Sequence, residues 1–194
     1  MRALPVLGVV LLLAGCSLTG DDGGGGAQVT EDELENTVLQ PADVGPSFIV
    51  FDEGPQRNAD QPAGRSALDR FGRTGGWKAR YRRPGTMRTT GPLVIVSLVD
   101  SFDSDDGAAE ELAAVGADLD DGEPPWQEVS APELGDEALA RTLQQSGVSF
   151  FRVAWREGNV VASVEVNGFT GKVSAEDAAA LARKQAQRVS EAAA

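Results

Sequence analysis

The sequence predicts an α+β domain: a twisted antiparallel sheet of five or six strands with helices packed on it. Three observations predict it. Short β-rich segments follow one another closely, two of them around a Gly-Asn turn. Helical patterns begin at Thr30, Ser104 and Ser174, each a good N-cap. The helices are interspersed among neighbouring strands, without the strict alternation of a parallel sheet. At 41% hydrophobic, the 194-residue chain can bury a core of its own.

The elements follow in order. Thr30-Glu31-Asp32-Glu33 reads as a capping box, with Leu34, Val38 and Leu39 following at helical spacing until Pro41 stops the helix. Ser47-Phe48-Ile49-Val50-Phe51 is a short strand, and the polar stretch from Asp52 to Ser66 reads as a loop. From Trp77 to Arg83 the pattern alternates, with Trp77, Ala79 and Tyr81 on one face and Lys78, Arg80 and Arg82 on the other. The run from Leu93 to Val99 is apolar on both faces and is expected to be the most central strand. Ser104 and Asp105 cap a helix from about Asp106 to Val115 with Glu110 and Glu111 on its wet side, and Gly116 to Pro125 reads as acidic turns.

The best-defined local expectation is a hairpin. Val148–Trp155 and Val160–Val166 flank Gly158-Asn159, which suits a two-residue II′ or I′ turn. Position 157 then pairs with 160, so Trp155 faces Ala162, Val153 faces Val164 and Phe151 faces Val166. On the other face Arg152 lies opposite Glu165, as an exposed ion pair that marks register. The last helix starts at Ser174-Ala175-Glu176-Asp177 and carries Ala178, Leu181, Ala182, Ala186 and Val189 as its apolar stripe. Asp136 to Gln145 fits either a helix or an antiparallel strand.

The N-terminus carries an address. Met1-Arg2 is followed by twelve uncharged residues, too few to span a bilayer and of the length of a signal-peptide core. They end in Leu13-Ala14-Gly15-Cys16, which resembles the lipobox of bacterial lipoproteins. That resemblance implies recognition of Leu13, Ala14 and Gly15 by a signal peptidase, cleavage before Cys16 and lipid attachment to the Cys16 sulfur. Residues 1–15 are then a signal peptide, 16–29 a lipidated flexible tether with four consecutive Gly, and 30–194 a single α+β domain. The expected location is extracytoplasmic, anchored to the bacterial cell membrane through the lipid. The competing reading is an ordinary secretory signal with an incidental Cys, but Cys16 is the only Cys in the chain and stands at the required place.

Gly135-Asp136-Glu137-Ala138, Arg156-Glu157-Gly158-Asn159-Val160-Val161 and the segment Ala178 to Arg188 resemble small exported proteins of high-GC bacteria. They also bear a remote likeness to the secreted sensor domains of PknH-type receptor kinases. This resemblance implies a strand after Gly135-Asp136-Glu137-Ala138. Those sensor domains carry disulfides, which a chain with one Cys cannot form internally, so their ligand surface does not carry over.

The chemistry of the composition is mostly exclusion. With no His there is no Ser-His-Asp or Cys-His machinery, and no catalytic or metal-ligating residues and no cofactor are assigned. Asp103–Gly107 and Asp118–Gly122 look like calcium loops, but Gly stands at the fifth position in each, where an EF-hand needs it at the sixth. They read as a helix cap and a solvated acidic turn. The net charge of −13 argues against nucleic acid as a partner.

That charge is unevenly spread. Arg65, Arg70, Arg73, Lys78, Arg80, Arg82, Arg83 and Arg88 form a basic block containing only one acid, Asp69, while fourteen acids and no base lie between Asp100 and Glu137. Lys78, Arg80, Arg82 and Arg83 are the candidate face for an anionic partner, such as a cell-envelope polymer or a protein. The alternative is that the two blocks meet within the fold or are simply solvated. The functional expectation is a non-catalytic surface lipoprotein with a sensor-like domain that binds a ligand or partner. The alternatives are a carrier of lipids or lipophiles, for which eleven aromatic residues are few, and an extracytoplasmic hydrolase. Oligomeric state is not legible.

Overall fold

A computed structural model describes residues 28–57 and 70–194. The segment carrying Leu13, Ala14, Gly15, Cys16 and the Gly-rich stretch lies outside the described residues, as do Arg65 and Asp69.

A 3-10 turn at Glu31–Glu33 leads into the one-turn helices α1 (Leu34–Thr37) and α2 (Pro41–Val44). Seven strands follow: β1 (Ile49–Pro55), β2 (Arg73–Arg82), β3 (Val94–Phe102), β4 (Gln127–Glu128), β5 (Glu137–Gln145), β6 (Val148–Glu157) and β7 (Val160–Phe169). Helix α3 (Asp105–Asp120) lies between β3 and β4, and α4 (Ala175–Ala192) closes the chain. The strands form one antiparallel sheet in the order β1-β2-β3-β7-β6-β5-β4. The fold is α+β as expected, with seven strands rather than five or six. The strand that was not expected is β4, of only two residues, while β5 is the strand that the resemblance implied for the ambiguous segment from Asp136 to Gln145.

Alternation along the strands gives the sheet two faces. One carries Tyr81, Ala79, Ile95, Val99, Trp155, Val153, Ala162 and Val164, and buries them under α1 and α4. The stripe Ala178, Leu181, Ala182, Ala186 and Val189 on α4 is buried as the spacing predicts. Its many Ala side chains let the helix come close to the sheet, where Trp155 and Tyr81, both fully buried, fill the space between. The other face packs Phe102, Ala154 and Val161 against Ala108, Leu112, Val115 and Leu119 of α3.

The β6–β7 hairpin has the expected register throughout, including Trp155 with Ala162, Val153 with Val164, Phe151 with Val166 and Arg152 with Glu165. Of the two turn residues only Gly158 has positive φ, as a II′ turn requires. The β5–β6 turn uses Ser146 and Gly147, both at positive φ, as a I′ turn requires.

Several expectations are corrected. The first helix ends at Thr37, and Val38 is already extended. Pro41 opens α2 at its first position instead of stopping α1. Strand β1 continues through Asp52 to Pro55, where a loop was expected, because Asp52 finds Lys78 and Arg80 across the pair. The central strand is β7 and not β3. The polar residues Ser163, Glu165 and Asn167 hide its burial from the hydropathy pattern. Helix α3 runs five residues further than expected and takes in Asp118 and Asp120, so the acidic turn is confined to residues 121–124. Glu111 is buried against Arg70, 3.4 Å away, rather than on the wet side.

One residue of the α4 stripe is polar. Gln185 is fully buried, accepts from the Ser97 hydroxyl at 2.7 Å and donates to the Leu98 carbonyl at 2.9 Å. The same Ser97 oxygen accepts from the Leu39 amide at 2.9 Å, and the Tyr81 hydroxyl donates to the Leu39 carbonyl. We expect Gln185→Leu to lower stability by about 1–3 kcal/mol, because it strands buried polar groups in the core. Its effect combined with Ser97→Ala is expected to be clearly less than additive in urea unfolding, and full additivity would contradict the linkage.

Candidate functional site

The candidate face is built by β2. Lys78, Arg80 and Arg82 occupy successive same-side positions of this strand, on the side opposite α4. Register then decides what surrounds them. Asp52 pairs with Arg80, Arg80 with Val96 and Val96 with Glu165. Glu165 pairs with Arg152, Arg152 with Arg141 and Arg141 with Glu128. A single row of side chains therefore crosses all seven strands, with six charged positions and one Val.

The row is knitted together. Asp52 takes Lys78 at 3.0 Å and Arg80 at 2.9 Å on one carboxylate oxygen. Arg141 reaches Asp120 on α3 at 2.9 Å, which holds the Asp120 carboxyl below its ordinary range. Arg152 lies 3.5 Å from the Ser163 hydroxyl. Glu165 is half-buried at the centre of the row. Burial pushes its carboxyl pKa up, and Arg152 and then Arg80 pull it back only in part. The Arg152–Glu165 pair is thus half-buried and not the exposed pair expected from the hairpin alone.

The four candidate residues are not one surface. Lys78 is buried and, like Arg80, bound to Asp52. Arg82 is exposed, with its guanidinium 5.4 Å above the Phe51 ring. Arg83 lies past the end of β2 and clamps the β2–β3 loop by donating to Pro92 O and Thr90 O, both at 2.6 Å, over the Phe48 ring. Elsewhere the basic and acidic blocks do meet, through Arg73 with Asp100 at 2.5 Å and Arg70 with Glu111.

Sequence reasoning missed the row because Asp52, Arg80, Glu165, Arg152 and Arg141 are far apart in the chain. The one available signal was the Arg152–Glu165 register. It also missed Asn159, whose side chain accepts from the Val29 amide and donates to Val29 O and Phe102 O, holding the incoming chain at the β6–β7 turn. Among the described residues no group of three or more Asp, Glu, His or Cys side chains is placed to hold a metal ion. Among them, too, no helix is long and apolar enough to cross a membrane. The apparent calcium loops resolve locally: Ser104 caps α3 by accepting from the Gly107 amide, and Asp118 and Asp120 lie in its last turns.

No family model matches the chain, and no curated protein matches it. Among solved structures it is similar to the extracellular domain of PknH from Mycobacterium tuberculosis. The TM-score is 0.61 at 14% identity, over 86% of this chain and the whole of that one. At that identity the likeness is one of fold.

A pH dependence follows from Glu165. Its folded pKa lies above the ordinary 4.5, so its contribution to stability is complete below that value and is lost as pH rises through the raised one. Glu165→Gln is therefore expected to gain in melting temperature relative to the parent as pH rises from 4 toward 7. A difference that stays constant or reverses would count against the desolvated carboxylate.

Proposed function

We infer that this chain is a non-catalytic, lipid-anchored, extracytoplasmic protein whose sensor-like domain binds a ligand or partner outside the cell. The observation that carries this reading is that its fold matches the whole of an extracellular domain, that of PknH. The sequence adds Leu13-Ala14-Gly15-Cys16 and a Gly-rich stretch ahead of Val29, the first residue of the core as described. Lipid on the Cys16 sulfur anchors the chain stably, since each buried CH₂ contributes about 0.8 kcal/mol and two or three acyl chains are attached. The charged row fits a structural role, because its Arg80 and Arg141 are bound by carboxylates of the same fold, and the neighbouring Lys78 shares Asp52 with Arg80.

The test is Cys16→Ser in the full chain, in cells fed a labelled fatty acid. The parent is expected to carry label and to fractionate with membranes. The variant is expected to lose the label and to be retained, if at all, only by its uncleaved signal segment. A variant that remains lipid-labelled contradicts the reading.

A further inference from the structure

The large apolar side chains that stand exposed among the described residues are not scattered. They are Ile49, Val50, Phe51 and Met87, exposed by 57, 38, 45 and 76%. Ile49 pairs with Arg82 at the end of the β1–β2 ladder, and Met87 sits in the loop that leaves that same end of β2. All four therefore lie at one corner of the sheet, with Ile49 on the face of Arg82 and Val50 on the face of Tyr81. Arg82 lies over Phe51, and Arg88 is exposed beside Met87 in sequence. Neither makes an ion pair with a described residue. A cationic, apolar corner stands out on a chain of net charge −13.

The loop presenting Met87 is built rather than loose. The Thr89 hydroxyl accepts from the Thr86 amide at 2.9 Å, and the Thr89 amide donates to Thr86 O at 2.8 Å. Arg83 ties the neck of the loop to Pro92 and Thr90. Clefts of about 230–450 Å³ on this surface are lined by other residues.

We propose that this corner, Ile49, Val50, Phe51 and Met87 with Arg82 and Arg88, is an interfacial contact that seats the domain on an anionic lipid bilayer. The two exposed guanidinium groups favour an anionic surface, and the exposed apolar side chains beside them favour one with an apolar layer beneath its charge. Apolar side chains beside Arg are the combination that enters the headgroup layer while the guanidinium groups meet lipid phosphates. Cation–π placement over Phe51 holds the Arg82 charge at the level of the ring. The contact goes beyond the anchored reading and does not require it. Under that reading, the thirteen residues from Cys16 to Val29 reach at most about 45 Å, more than the roughly 33 Å of a ten-residue strand. Val29 enters at the opposite end of the sheet, beside Asn159, so anchor and corner can touch one membrane together.

The test uses the chain from residue 16 with Cys16→Ser, which carries no lipid, so its outcome is independent of whether Cys16 is acylated. It is expected to sediment with phosphatidylglycerol vesicles and not with phosphatidylcholine vesicles. Arg82→Glu with Arg88→Glu should weaken that binding by about thirtyfold or more, from roughly 1 kcal/mol for each Arg near an anionic surface. Phe51→Ser with Met87→Asp should weaken it at least tenfold. All four substitutions sit on exposed side chains, so the melting temperature serves as the control for folding. Absence of binding to the anionic vesicles, equal binding to both vesicle types, or variants that bind as the parent does would each overturn the proposal. A chain that ignores vesicles but self-associates through these residues would overturn it as well, and make the corner a protein interface.

Discussion

The structure depends on how the segment around Leu39 is held. This stretch crosses the sheet face as extended chain between two single-turn helices, so its backbone groups cannot be satisfied by a helix or a ladder. Leu39 is nevertheless fully buried. Its amide is met by Ser97 on β3 and its carbonyl by Tyr81 on β2, while Gln185 on α4 closes the circuit through Ser97 and Leu98. Four elements are thereby fixed by one buried polar cluster. Burial first, then the nearby Glu53 and Asp43 carboxylates, push the Tyr81 hydroxyl up to about 12 in pKa, so it remains a donor at neutral pH.

The same logic extends outward. Asp43 of α2 accepts from Arg188 at 2.8 Å, and Lys184 donates to the Asp43 carbonyl, so α4 grips the N-terminal segment at its surface as well as in the core. At the other end of the segment, Asn159 binds both backbone groups of Val29. The turn residue chosen for its hairpin geometry thus also fastens the chain as it enters the domain.

What could be read from the sequence was local. The β6–β7 register was computable because a two-residue turn leaves no freedom and the two faces differ in polarity. The capping boxes at Thr30 and Ser174 form as their spacing requires. What could not be read depends on partners distant in the chain. Glu111 and Gln185 look solvated until Arg70 and Ser97 are placed beside them. Strand β7 looks half-exposed until its Glu165 is flanked by Arg152 and Arg80. Propensity favours a helix for Ala138 to Leu143, and pairing with β6 makes them a strand. Likewise, four arginine and lysine positions on one strand pattern suggested one surface, and tertiary contacts divide them into bound and exposed.

The two ends of the sheet thus differ in kind: one receives the N-terminal segment, and the other carries the exposed apolar corner. The most direct measurement of the central constraint is native-state hydrogen exchange at the Leu39 amide. The account predicts that it exchanges only through global unfolding, with the same free energy as the amides of β7. Exchange of Leu39 through local opening, while β3 and β7 remain protected, would contradict it.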